Sequence, residues 1–320
     1  MSERLAIRLA AGSGPTFGVD DLACAAATDL GFWDDEGLDV TWTPALGGVA
    51  AIEAVLDGIV DVSYGGLGPV LHRRSENQPV RIVVSMSRAL AQNLVVQKRI
   101  ETMGQLRGVS WALDGFGALS HHMARLLVRA LDIGEDEIDW QAVGPPPERI
   151  ERLLADTIDV SLIRVEEAIS LSGDGTNDLH TLVGFAELKD LVPVQPHGVL
   201  ATTEAYEREH AEELHRLTRG MIRASRALND DFDAFRETFD RNVTIPVPDA
   251  DVRAIWQQES SSGGFAVNGE LTRKHWLDQI ALFYELNPQL RRVSLEQALA
   301  QDFVAAALAT LGPVPGADFQ

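Results

Sequence analysis

Cysteine is nearly absent: Cys24 stands alone among 320 residues. A single thiol excludes an internal disulfide and any thiolate metal cluster. Its setting, Leu22-Ala23-Cys24-Ala25-Ala26-Ala27, reads as a small buried hydrophobe on a helix. Long apolar runs are missing as well. No stretch approaches the roughly 18 uninterrupted apolar residues of a spanning helix, so no membrane insertion is expected. Basic residues are outnumbered, 27 against 48 acidic ones, for a net charge of -21. Such a surface repels the phosphates of nucleic acid and an anionic membrane, and neither is expected as a partner. An anionic small ligand stays open, because a local nest of backbone N–H groups binds one even inside an acidic protein. The sequence also lacks a G-x-S-x-G elbow, a P-loop and H-E-x-x-H.

What is present has a globular balance, 45% hydrophobic and 23% charged. That is apolar material for one large or two medium cores without covalent staples. Met1-Ser2-Glu3-Arg4 runs straight into the strand-like Leu5-Ala6-Ile7-Arg8-Leu9, with no basic n-region and apolar h-region before it. As it stands, the sequence is expected in the cytoplasm; a trimmed signal peptide would put the protein in the periplasm or outside the cell.

Short apolar runs alternate with helical patterns up to about residue 165. Strands are expected at 5–9, 40–43, 60–63, 81–85, 93–97, 109–113, 139–143 and 160–163. Helices are expected at 21–30, 48–57, 68–74, 103–106, 120–131 and 147–156. This alternation predicts βαβ units and mostly parallel sheets in an α/β fold. From about residue 200 the period becomes helical, with one long helix over 204–228 carrying Leu214, Leu217, Met221 and Ala224 on one face. Further helices follow at 231–242, 249–259, 274–287 and 302–311.

Several local patterns converge on one family. Gly31-Phe32-Trp33-Asp34-Asp35-Glu36-Gly37-Leu38-Asp39-Val40 resembles the G-[FY]-[FW]-x-x-E-G-L-D-V segment of the NMT1/THI5-like (SsuA-like) substrate-binding proteins of ABC transporters. Asp57-Gly58-Ile59-Val60-Asp61-Val62, Leu106-Arg107-Gly108-Val109 and Asp156-Thr157-Ile158-Asp159-Val160 resemble its later elements, in the same order. The resemblance implies a two-lobed, type II periplasmic-binding-protein-like fold with a helical C-terminal third. Lobe one would hold residues 1–88 and 197–320, lobe two 93–195, with hinge crossings near 89–93 and 192–197. A ligand would sit between the lobes, at strand ends and helix N-termini, where backbone N–H groups and positive dipole ends collect.

Five loops are expected to serve such a site. The first, Gly12 to Gly18, offers Thr16 and Phe17, whose ring either stacks on a ligand or fills the core. The second opens a helix at Gly48. The third, Ser63-Tyr64-Gly65-Gly66, offers Tyr64 for stacking or hydrogen bonding and Gly65 for close backbone approach. The fourth ends a buried strand at Ser85. The fifth is Asp114-Gly115-Phe116-Gly117-Ala118-Leu119-Ser120-His121-His122. There Gly115 and Gly117 flank a helix start like an anion nest, with Phe116, Ser120 and His121 beside it. It is also similar to the G-x-F-G element that holds a phosphate in the thiamin-pyrimidine synthase branch of the family. Arg164 and Glu166 close a lobe-two strand, as ligand contacts or as a surface pair, and His197 stands at the second crossing. Adjacent histidines point about 100° apart, unlike an i, i+4 metal pair, so no metal is expected, and no cofactor.

Some relatives of this kind are enzymes, and their residues are missing here. The cofactor lysine and sacrificed histidine of the thiamin-pyrimidine synthase branch would fall on Gly65 and Pro69, and its cysteine-rich stretch near Leu191 to Val199. The desulfinase branch's cysteine nucleophile would fall near Gly18 and its arginine on Ser63. The expected function is therefore a small-molecule binding protein for a planar, anionic compound, as in uptake of sulfonates, nitrate or pyrimidines, with an ABC permease as partner if exported. The alternative is a cytoplasmic decarboxylase, lyase or desulfinase-like hydrolase on the same scaffold.

Overall fold

The computed structural model describes all residues except 1–3, 15–16, 88–90, 174–176, 193–197, 270–272, 301 and 316–320. Thr16, His197, residues 89–90 of the first expected crossing and 193–197 of the second lie outside the described residues. The chain divides into two compact units: Met1–Ala89, Gln195–Val243 and Glu259–Gln320 form one, and Leu90–Val194 with Thr244–Gln258 form the other. The segment 244–258, expected with the first lobe, thus groups with the second unit.

The first unit opens with β1 (Leu5–Ala11), α1 (Leu22–Asp29), α2 (Phe32–Asp35), β2 (Leu38–Pro44), α3 (Gly48–Leu56), β3 (Val62–Gly65), α4 (Leu67–Ser75) and β4 (Val80–Ser85). The second contains β5 (Gln92–Gln97), β6 (Ser110–Leu113), α5 (Leu119–Ala130), β7 (Asp139–Ala142), α6 (Pro146–Leu154), β8 (Val160–Arg164), α7 (Val165–Gly173), β9 (Leu179–Val183) and α8 (Phe185–Leu191). The chain then supplies β10 (Val199–Thr203), α9 (Glu204–Glu209), α10 (Ala211–Asp230), α11 (Phe232–Asn242), α12 (Asp249–Ser262), α13 (Arg273–Leu286), α14 (Leu295–Ala298) and α15 (Asp302–Leu311).

The sheets run β2-β1-β3-β10-β4 and β7-β6-β8-β5-β9. In each, one strand is antiparallel to its neighbours: β10 against β3 and β4, and β5 against β8 and β9. The rest are parallel, as the βαβ pattern requires. Buried central strands explain the solid apolar runs, for Ile7, Leu9, Val62, Leu94 and Val160 are 0% exposed. Between β4 and the C-terminal helices packs a core of Ile82, Trp276, Ile280, Phe283, Tyr284 and Leu299.

The eight expected strands form, but β9 and β10 escape the pattern. β9 buries only its two ends, Leu179 and Val183. β10 is inserted between β3 and β4 and buried on both faces, so it shows no alternation. The single helix expected over 204–228 is two. It breaks at His210 (φ −126°, ψ 37°), whose ring stacks on Tyr206 at 4.2 Å while its Nδ1 lies 3.0 Å from Glu213. The motif around residue 31 is explained locally. Gly31 takes φ 73° at the end of α1, and Trp33 then packs its indole on α10 and donates to the Leu217 carbonyl at 3.1 Å.

Candidate functional site

In the first unit the carboxyl ends of β1, β2, β3 and β4 gather the first four loops. Gly12, Gly48 and Gly65 meet backbone to backbone. A Cβ on Gly12 would stand 2.7 Å from the Tyr64 carbonyl oxygen and 2.9 Å from Gly48 Cα, and one on Gly65 3.0 Å from Gly48 Cα. The glycines expected to admit a ligand therefore also let the three loops touch. Gly12 N–H donates to the Tyr64 carbonyl at 2.9 Å.

Tyr64 and Phe17 are engaged within the protein. Tyr64 is 1% exposed, and its hydroxyl donates to the Asp21 carboxylate. The other Asp21 oxygen accepts the Gly18 N–H at 2.9 Å, capping the short 3₁₀ turn that leads into α1. Burial, with the Asp21 charge behind it, pushes the Tyr64 phenol well above its ordinary value. Phe17 lies edge-on to Trp42, ring centres 5.3 Å apart, and the Trp42 indole donates to Thr28 Oγ1 at 3.1 Å. Ser85 is buried, and its hydroxyl donates to the Ser87 carbonyl.

Cys24 packs here as a hydrophobe, fully buried with its thiol 3.0 Å from the Met86 sulfur. Burial, then the charge of Asp21, pushes that thiol well above its usual range, opposite to what an activated nucleophile needs. Removing the Tyr64 hydroxyl (Tyr64→Phe) takes a donor from a carboxylate that is 2% exposed. The expected cost is about 2 kcal/mol, read as a lower urea midpoint at unchanged slope.

In the second unit the loop after β6 carries the fifth set. Phe116 stands 65% exposed at its tip. Ser120 is buried, and its hydroxyl accepts the Asp114 N–H at 2.9 Å, so this side chain shapes the loop from within. Gly117 has φ 81°, a conformation suited to glycine, and its N–H points to His121 Nδ1 at 3.0 Å. One donor of the expected nest is thus already taken inside the loop. The His121 ring lies edge-on between Phe116 (5.4 Å) and Trp140 (5.7 Å). Burial and Arg125 push its pKa below the ordinary imidazole value, with Glu135 opposing.

Beneath the loop lies a pair the sequence gave no sign of. Arg149 on α6 is 3% exposed. Its Nη2 sits 3.0 Å from Asp114, and its Nη1 donates to the Leu162 carbonyl and Ser161 hydroxyl. Arg164 ends β8 half-buried, opposite Gln92. Glu166, in the first turn of α7, is 1% exposed. No group of three or more His, Cys, Asp or Glu side chains suited to a metal ion occurs among the described residues. None of their helices is long and apolar enough to cross a membrane.

Two five-stranded sheets, each with its one antiparallel strand in the fourth place and glycine-rich loops at its strand ends, define the two-lobed periplasmic-binding-protein fold. The same fold is found in a protein from Bordetella bronchiseptica (TM-score 0.78, 19% identity, covering 97% of this chain and 99% of that one). It recurs in the alkanesulfonate-binding protein SsuA of Xanthomonas axonopodis pv. citri bound to MOPS (0.72, 16%, 96% and 99%). The periplasmic nitrate-binding protein NrtA of Synechocystis shares it too (0.75, 11%, 97% and 90%). The model described as NMT1/THI5 like matches residues 22–231, and the chain belongs to that family. No curated protein matches it in sequence.

Proposed function

We propose that the protein binds an anionic small molecule with an apolar or aromatic body, through the glycine-rich loops at the strand ends. The observation that carries this reading is where large apolar side chains are left in water. Leu46 (78%) and Phe116 (65%) are the two most exposed among the described residues. Each stands on a loop just past a strand, next to a helix start, the kind of position from which apolar side chains line a small-molecule site. Membership of the family and the likeness to sulfonate- and nitrate-binding proteins support the same class of ligand. The buried Cys24, its thiol pushed upward, supports binding over thiol chemistry. In this reading the protein works in the periplasm, the second of the two locations open from sequence, and hands its ligand to an ABC permease.

A thermal-shift screen of sulfonates, nitrate, aromatic carboxylates and pyrimidines tests it. At least one compound should raise Tm and be recovered unchanged after incubation. Phe116→Ala and Leu46→Ala should each weaken its affinity about tenfold, with the ligand-free Tm unmoved. Wild-type affinity in both variants would remove these loops from the site, and conversion of the compound to a product would favour the enzyme alternative.

A further inference from the structure

We infer that His121 is a protonation latch on the Gly115–Gly117 loop: as neutral imidazole it holds the loop closed through Gly117 N–H, and as imidazolium it releases it. The geometry fixes the tautomer. Nδ1 accepts the Gly117 N–H at 3.0 Å, so the neutral ring carries its proton on Nε2. Protonation places an N–H on Nδ1, facing the N–H of Gly117. Donor then opposes donor, and the bond is lost.

The loop has room to respond. A Cβ at Gly115 or Gly117 would meet no atom within 4 Å, and Phe116 is mostly in water. The ring itself is held in place, edge-on to Trp140, which packs in turn against Trp111 at 5.6 Å. Release would therefore move the loop and not the imidazole.

Burial sets the direction, and the charges around His121 adjust it. Arg125, one turn along α5, disfavours the imidazolium. Glu135, from the short 3₁₀ helix before β7, favours it, but is locked to Arg125 Nε at 2.7 Å. From the loop, Asp114 is paired with Arg149. β7 presents the neutral Trp140, and His122 adjoins on α5. Arg125 adds to burial, and the folded pKa lies below the ordinary imidazole value. The latch is then shut above about pH 6.5 and opens as pH falls through the lower, folded value. The sign for stability follows. The folded state binds fewer protons at His121 than the unfolded chain in that window, so stability is lost on acidification.

The opened loop frees the Gly117 N–H and brings a cation beside it. That this alters ligand uptake rests on the binding reading above; the latch does not, and it is tested without ligand. In ¹⁵N-labelled protein, protection of the Gly117 amide from exchange should fall about tenfold beyond the chemical pH effect. The drop should track the His121 ring titration, with its inflection below pH 6.5. His121→Phe keeps a ring against Trp140 and should leave Gly117 unprotected at every pH. Should that variant fail to fold, Arg125→Gln removes the repelling charge and should move the inflection to higher pH. A Gly117 amide with no inflection, or one indifferent to both substitutions, overturns the latch.

Discussion

Replacing Asp114 by Asn is expected to cost about 3 kcal/mol of stability and to loosen the loop that carries Phe116. The cost falls on its partner. Arg149 is 3% exposed, and its Nε is buried with no hydrogen-bond partner. Its Nη1 finds only the uncharged Leu162 carbonyl and Ser161 hydroxyl. Compensation of the buried cation therefore falls to the Asp114 carboxylate at 3.0 Å. Asp114 itself is 32% exposed on its side chain, so water moderates the loss toward the low end of the range for broken buried pairs. Urea unfolding measures it, and Arg149→Met in the Asp114→Asn background should restore much of the loss by removing the stranded charge. A drop well under about 1 kcal/mol in the single variant would mean the cation is neutralised elsewhere.

Gly12→Ala is the second large effect. The added methyl would sit 2.7 Å from the Tyr64 carbonyl oxygen, 2.9 Å from Gly48 Cα and 3.0 Å from Gly48 N. All three are backbone atoms, so no rotamer change relieves the clash, and two loops must move apart. Overpacking of this kind costs about 2 kcal/mol. Because the loops after β1, β2 and β3 meet at this point, ligand affinity should fall with stability. Gly115→Ala is the control: its Cβ would enter open space and its φ is not positive. It should shift the unfolding midpoint little. Equal effects from both variants would show that the glycine contact contributes nothing particular.

The parallel frame is legible because buried strands and amphipathic helices leave periodic marks, as in β1, α3, β4 and α10. The glycine loops are legible too, since few other reasons place Gly65-Gly66 and Gly115-x-Gly117 at strand ends. What each residue does there is not. Gly12 and Gly48 look like ligand glycines until their backbones are seen in contact, and Tyr64 looks like a stacking group until Asp21 is found under its hydroxyl. Trp42 and Trp140 sit on the outer strands of the two sheets, in stretches with little pattern, yet each holds a loop aromatic in place. Arg149 is one cation in an amphipathic helix, and only the tertiary fold brings it under Asp114. Local periodicity reports burial; it carries no information about which distant side chain closes a pair.

The antiparallel strand of the first sheet also bears on the protein's birth. β10 threads between β3 and β4, more than a hundred residues after either left the ribosome. Until then the two strands that will flank it present unpaired edges, the kind of surface that recruits other chains. A nascent or truncated polypeptide ending before Val199 should thus be a client for holding chaperones and prone to aggregate, and its refolding should be slowed by this non-local closure. For a protein proposed to work across a membrane, the same delay keeps the chain open for export until its last strand arrives.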